Sequence, residues 1–417
     1  MEIKRDIYLD KLIARKHNGL IKVITGIRRC GKSYLLFRLF RRHLIECGVS
    51  ENHIIEVAFD MRRNAALRDP DALCAYVEEK MSGGGMYYIL LDEVQMLSEF
   101  ESVLNEFARY ENADVYVTGS NSKFLSSDIM TEFRGRGDEI HVYPLSFAEY
   151  CSAFPGSVDE AWQEYYTYGG LPLTVSMTTD EQKAEYLTRL FNEVYLRDIV
   201  ERNGIRQPEE LGELINILAS SIGSLTNPKK LSNTFKSVKG IRITENTLAR
   251  YATYLEQAFM IKRAQRYDIK GKRYIDTPSK FYFEDVGLRN ARLNFRQIEL
   301  THIMENIIYN ELRMRGYNVD VGVVEIREKQ SGGGYTKKQT EVDFVANLGS
   351  KRIYIQSAFA MSDDEKTAQE KRPLDKIGDS FKKIIVVGEN IKLCRDEDGI
   401  VIMGIRDFLL KRDSLEL

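Results

Sequence analysis

Cysteine is scarce in this sequence, and its spacing offers no pairs. The five residues, Cys30, Cys47, Cys74, Cys151 and Cys394, are odd in number, widely separated and form no C-x-x-C. That pattern excludes a disulfide framework and a zinc site and points to a reducing compartment. Long apolar runs are also missing. None approaches the roughly 18 residues that cross a bilayer, so no membrane partner is expected. The opening residues, Met1-Glu2-Ile3-Lys4-Arg5-Asp6, carry no apolar core of a signal peptide, and a cytoplasmic protein is the expectation. An excess of one charge is absent: 60 Lys and Arg face 62 Asp and Glu, a net charge of −2. There is then no global attraction to nucleic acid or to an anionic membrane, and any such binding needs a local patch. Internal repeats and long low-complexity segments are absent as well. What remains is a chain of 417 residues, 43% hydrophobic and 29% charged. These are ordinary values for a soluble protein with buried cores, with room for two to four domains.

What is present is a phosphate-binding loop. Gly26-Ile27-Arg28-Arg29-Cys30-Gly31-Lys32-Ser33 reads G-x-x-x-x-G-K-[ST]. An apolar, β-branched stretch (21–25) precedes it, and a helical pattern beginning at Tyr34 follows. Strand, glycine loop and helix in that order are what the motif needs. The glycines let backbone N–H groups turn inward, and the helix N-terminus adds partial positive charge. Lys32 supplies a full charge to the β- and γ-phosphates of ATP, and the Ser33 hydroxyl suits Mg²⁺. Cys30 lies inside the loop, beside Lys32 and at a helix N-terminus. Such a thiol is either activated by that setting or an inert small loop residue.

Around the loop, residues 1–145 alternate strand-like and helix-like segments. Strands are expected at 21–25, 53–59, 87–91, 114–118 and 139–143, which predicts a parallel sheet covered by helices on both faces. Asp69 is expected to cap a helix opened by Pro70. The third strand, Tyr87-Tyr88-Ile89-Leu90-Leu91, ends in Asp92-Glu93. Downstream of a phosphate loop, Asp92 fits a Mg²⁺ ligand together with Ser33, and Glu93 fits the base that orients and deprotonates water. The next strand ends in Gly119-Ser120-Asn121-Ser122, where Asn121 or Ser120 could sense the γ-phosphate. In Phe133-Arg134-Gly135-Arg136, Arg136 is the better candidate for an arginine finger reaching a neighbouring subunit. That role would make the protein a homo-oligomer.

These motifs resemble those of prokaryotic AAA-type ATPases that carry a C-terminal domain of uncharacterised function. The resemblance covers nearly the whole chain. It rests on the loop at 26–33, Leu-Asp-Glu-Val-Gln at 91–95, Thr-Gly-Ser-Asn at 118–121, Gly-Arg at 135–136 and Pro-Leu-Ser-Phe-Ala-Glu-Tyr at 144–150. Tyr-Gly-Gly-Leu-Pro at 168–172 and Phe-Glu-Asp-Val-Gly-Leu at 283–288 also fit. It implies an α/β chain in four parts. These are an αβα P-loop nucleotide domain (1–145), a helical lid (146–205), a winged-helix segment with a basic hairpin (206–285) and a restriction-endonuclease-like α/β domain (286–417). It implies ATP and Mg²⁺, bound by residues 26–34 (Gly26 through Tyr34) with Asp92, but names no biological substrate.

Two further features bear on partners. Residues 227–280 hold thirteen Lys or Arg against four acids, with Tyr251, Tyr254, Tyr267 and Tyr274 interleaved. A basic, aromatic winged-helix segment suits DNA or RNA, although such folds also bind proteins. The last domain resembles the PD-(D/E)xK nuclease core, which holds a metal with an acid and then an acid-x-lysine on the next strand. Here Asp343 supplies the first acid, Gln356 stands at the second and Ala358 at the lysine, with Glu305 on the preceding helix. An inactive nuclease-like fold is expected unless Lys351 or Lys371 moves into the site. The loop 330–335 is expected to be exposed. The sequence therefore points to an ATPase whose cycle rearranges a C-terminal recognition module. The alternatives are a nucleic-acid-binding regulator that uses ATP as a switch, and a metal-dependent nuclease.

Overall fold

The structure, a computed structural model, describes residues 3–119, 135–329, 335–361 and 364–417. The chain divides into two compact units, Met1–Pro144 with Gln257–Phe259, and Leu145–Glu256 with Met260–Leu417. Among the described residues no helix is long and apolar enough to cross a membrane.

The first unit is built on five strands: β1 (Ile21–Thr25), β2 (Ile54–Ala58), β3 (Tyr87–Asp92), β4 (Ala113–Thr118) and β5 (Gly137–His141). All pairings are parallel, in the order β2-β3-β4-β1-β5. β1 and β3 are buried along their whole length, as parallel strands covered on both faces must be. Side chains alternate between faces. Val23, Ile89, Leu91, Val115 and Val117 pack on one face against Leu73, Val77, Leu104 and Phe107 of the helices Pro70–Lys80 and Phe100–Phe107. On the other face Tyr116 meets Phe40 of the helix after the phosphate loop, with ring centroids 4.5 Å apart. The helix at Pro70 starts as expected: Asp69 accepts a hydrogen bond from the Ala72 N–H. At the N-terminal edge of this sheet Lys22 pairs with Asp114, both buried.

The second unit begins with helices. Two of them, Phe147–Ala153 and Val158–Tyr168, open with capping boxes, Ser146 with Glu149 and Ser157 with Glu160. The helices Pro208–Ser220, Pro228–Thr234 and Glu245–Gln257 follow. Then comes a hairpin, β6 (Ile261–Asp268) and β7 (Arg273–Phe283). A single bridge, Thr226 to Ser279, ties the segment before the second of these helices to β7.

The last part runs helix (Leu300–Met314), three strands, helix (Asp364–Asp375), strand. The strands are β8 (Asn318–Lys329), β9 (Tyr335–Leu348), β10 (Lys351–Ala358) and β11 (Lys382–Val387), with β12 (Cys394–Arg395) and β13 (Val401–Gly404) after them. The sheet order is β12-β13-β11-β10-β9-β8-β6-β7. The basic hairpin thus belongs to this sheet: β6 pairs in parallel with β8 through Arg266–Val321 and Asp268–Val323. The expected exposed loop at 330–335 lies outside the described residues except for Tyr335, which opens β9.

Candidate functional site

The phosphate loop follows β1 and leads into a continuous helix, Lys32–Tyr34, Leu35–Phe40 and Arg41–Glu46. Its shape depends on backbone conformations that favour glycine. Gly26 and Gly31 have φ of 139° and 100°, and Arg29 joins them at 67°. A Cβ on Gly26 would lie 2.1 Å from the Val142 carbonyl oxygen, so the loop is closed against the segment after β5. The Lys32 ammonium is buried and donates to the carbonyls of Gly26 at 2.9 Å and Ile27 at 3.0 Å. These acceptors are neutral, and among the described residues Lys32 forms no ion pair.

Arg5 braces the loop from outside the motif. Its guanidinium is buried and donates to the carbonyls of Cys30 at 2.9 Å and Tyr143 at 2.6 Å. It also lies over the ring of Tyr8, whose hydroxyl accepts from the Tyr143 N–H at 3.2 Å. No local pattern reveals this, because the partners are 25 and 138 residues away. Of the two readings of Cys30, burial favours the inert loop residue. The thiol is fully buried and donates to the Val142 carbonyl at 3.2 Å.

Asp92 ends β3, and β4 lies between that strand and β1. Its Oδ1 accepts from the Ser33 hydroxyl at 2.9 Å and from the Thr118 hydroxyl. Thr118 in turn accepts from the Glu93 N–H at 3.1 Å. Thr118 therefore links the two acids to the end of the strand beside the phosphate loop. The sequence pointed to Ser120 and Asn121 for that strand's contribution, and both lie outside the described residues, as do Ser122 and Arg134. Burial raises the Asp92 pKa. The Thr118 and Ser33 hydroxyls oppose the rise, and Glu93 and Asp60 add to it. Glu93 sits at φ 54°, turned out of the strand, and its carboxylate accepts from the Gln95 amide. The other amide atom, Gln95 Oε1, is buried without a partner.

This donor set fits magnesium–ATP. Lys32 rests on exchangeable neutral acceptors, and Ser33 and Asp92 offer the hard oxygens Mg²⁺ prefers. Arg28 and Arg29 are exposed on the loop, and Tyr34 continues the helix. Arg136 is not brought to this site within the chain. It precedes β5 and its carbonyl accepts from the Ile21 N–H, at the opposite end of β1 from the loop.

The comparisons with known proteins agree with this geometry. Residues 18–151 match a family model described as an AAA domain, and residues 159–299 match one described as a domain of unknown function. An uncharacterised protein of Haemophilus influenzae is 34% identical over 415 residues, 98% of this chain and 99% of that one. The chain belongs to that protein's family and carries an AAA domain. An uncharacterised protein of Methanocaldococcus jannaschii is 28% identical over 378 residues, 87% of this chain and 79% of its own. Among solved structures, the Aeropyrum pernix ORC1 protein in complex with DNA aligns at 12% identity with a TM-score of 0.30, covering 70% of this chain and 92% of that one. That likeness is too distant to carry a ligand across.

In the second unit of this AAA-domain chain, the residues expected at a nuclease site do meet, around an unexpected lysine. Lys280 of β7 is buried, with its Nζ 2.9 Å from Glu305, 2.5 Å from Glu341 and 3.6 Å from Asp343. The Tyr282 hydroxyl adds a bond to Glu305 at 2.6 Å. Burial opposes the charge on Lys280, but Glu305, Asp343 and Glu341 outweigh it and raise its pKa. Burial, then Glu305, push Asp343 up to about 6 despite Lys280. Gln356 donates to Glu370 at 3.1 Å, and Ala358 packs in the core with Leu374 and Ile377. Neither Lys351 nor Lys371 moves in. They pair with Glu416 at 3.0 Å and Asp396 at 2.8 Å. Among the described residues no three Asp, Glu, His or Cys side chains are grouped to hold a metal. The ammonium already stands among these carboxylates.

Proposed function

We propose that this chain binds ATP with Mg²⁺ at residues 26–34 and Asp92, hydrolyses it, and uses the cycle to rearrange its C-terminal unit as a recognition module. The observation that carries this reading is the polar chain at the end of the parallel sheet. It runs from Ser33 to Asp92 to Thr118 to the Glu93 backbone, beside a lysine that, among the described residues, loop carbonyls hold. Magnesium–ATP supplies a γ-phosphoryl group that passes to water through a transition state with dispersed negative charge. Lys32 exchanges the Gly26 and Ile27 carbonyls for phosphate oxygens. Ser33 and Asp92 hold the metal, and Thr118 fixes the rotamer of Asp92. Glu93 accepts a proton from water at a carboxylate that Gln95 orients.

Two roles extend the proposal. Asn121 completes the site as a sensor of the γ-phosphate. Arg136, exposed at the far edge of the sheet, acts on a neighbouring copy in a homo-oligomer. Mixing Arg136→Ala with Lys32→Ala subunits then restores activity that neither has alone. A protein that stays monomeric with nucleotide present excludes this role.

We also infer that the helix–three strands–helix–strand region is a nuclease-type core that does not cut DNA. A nuclease core of this type cuts with a metal that polarises the phosphoryl oxygen and activates water, and Lys280 already stands among the acids that would hold it. The three helices and hairpin before it are read as a winged helix. ATP turnover by the purified chain, lost in Glu93→Gln while ATP binding persists, tests the central reading. Wild-type protein that binds ATP without turning it over leaves the switch reading in place.

A further inference from the structure

Of the thirteen basic residues at 227–280, the structure removes several from any role with a partner. Lys280 is buried among carboxylates. Arg263 pairs with Glu256 at 3.0 Å and Arg273 lies 3.5 Å from Asp268. Arg266 donates to Gln339, and Lys270 donates to the Glu325 carbonyl. The hairpin, the most basic stretch to the eye, is therefore largely engaged with its own sheet.

On the hairpin Lys262 and Lys272 stay exposed, and a second group of exposed cations borders a cavity. A cavity of about 570 Å³ is lined by the loop around Arg206, the segment Arg242–Thr244 and one face of the helix Glu245–Gln257. Arg206, Arg242 and Arg250 all border it and are exposed. None of the three forms an ion pair among the described residues. Thr247, Arg250 and Tyr254 follow one another at helical spacing along the same face, and the Thr244 and Thr247 hydroxyls hydrogen-bond each other at 2.9 Å. The acid in the lining is Glu210, which accepts a long hydrogen bond from Tyr251 at 3.4 Å. Beyond the cavity, the helix Pro228–Thr234 and its continuation Phe235–Lys239 carry exposed Lys229 and Lys236, and Ser232 of that helix donates to the carbonyl of Ile243 in the lining at 2.8 Å.

We propose that this cleft binds the phosphate backbone of a nucleic acid. Exposed guanidiniums with adjacent hydroxyls and a half-buried tyrosine suit a chain of phosphates and a stacked base. A pocket for one small nucleotide would be lined mostly by apolar groups that enclose it, whereas here the polar groups stand on the rim. Positive charge that continues past the cleft matches a polymer whose charge repeats. An acidic patch on a protein would end where the cleft ends. The inference goes beyond the ATPase reading and does not depend on it.

The test is fluorescence anisotropy of the full chain, without nucleotide, against labelled duplex DNA, single-stranded DNA and single-stranded RNA across a salt series. The strongest of the three identifies the source of the backbone. Arg242→Ala with Arg250→Ala should weaken that binding tenfold or more and lower the slope of log affinity against log salt by about two units. Arg206→Ala should lower it by about one unit. Arg250→Lys, which keeps the charge, should retain most of the affinity. All three arginines are exposed, so the variants should unfold at the wild-type temperature, and that is measured alongside. The proposal is overturned if none of the three nucleic acids binds at low salt. It is also overturned if the variants bind as wild type does, or if polyglutamate displaces the probe while unlabelled oligonucleotide does not.

Discussion

Lys32 in the first unit and Lys280 in the second are both buried lysines in sites that also hold buried acids, and they are held in opposite ways. Lys32 donates to two neutral carbonyls and has no carboxylate partner among the described residues. The acid of its site, Asp92, is held by two hydroxyls. Lys280 is surrounded by Glu305, Glu341 and Asp343. In the first site the charges are kept apart, each on neutral partners that a ligand can replace at small cost. In the second they have collapsed onto one another. A buried ion pair with its hydrogen bonds satisfied has little to gain from a ligand, whereas a separated cation and anion gain both phosphate and metal. The same residue types thus stand apart on neutral partners in one sheet and form a structural brace in the other.

The largest effect that could break this comparison is on stability. Lys280→Met leaves the carboxylate group without its counter-charge and should cost about 3–5 kcal/mol, read as a lowered denaturant midpoint. Lys32→Met leaves only two carbonyls unpaired and should cost about 1–3 kcal/mol. Equal losses would mean that the two lysines are held alike. Next in size, Glu93→Gln should reduce ATP turnover about 100-fold or more while ATP still binds, checked by steady-state kinetics and a binding titration. Lys32→Ala should weaken ATP at least tenfold, about 1.4 kcal/mol, in calorimetry.

The smallest effect is on the pH dependence of folding. Burial pushes Asp285 up to about 6, against the hydrogen bonds it accepts from the N–H groups of Leu288 and Gly170. A carboxyl raised in the folded state stabilises fully below its unfolded pKa near 4 and loses that contribution as pH rises through 6. The stability advantage of wild type over Asp285→Asn should therefore be greatest near pH 4 and shrink toward pH 7, measured by denaturant unfolding at each pH. An advantage that grows with pH would contradict the burial of this group.

Much of the first unit was legible because its signals are local. The five strands appear within two residues of their expected bounds, since each is a short apolar run closed by a turn, and Asp69 caps the helix it was expected to cap. What was missed is non-local. Arg5 acts across 138 residues, and Thr118 matters only because β4 lies between β1 and β3. Lys280 belongs to the carboxylate cluster only because its hairpin joins the C-terminal sheet, bringing it to Glu305, 25 positions on. The spacing of acids along β9 and β10 showed which groups were lost but not what had replaced them.

The measurement that most directly separates the two sites is Mn²⁺ binding followed by electron paramagnetic resonance, with and without a non-hydrolysable ATP analogue. The account predicts a bound Mn²⁺ that needs the nucleotide and disappears in Asp92→Asn. It predicts no bound Mn²⁺ in the absence of nucleotide. A Mn²⁺ bound without nucleotide, lost in Asp343→Asn and kept in Asp92→Asn, would show that the second site is open to metal and would contradict the account.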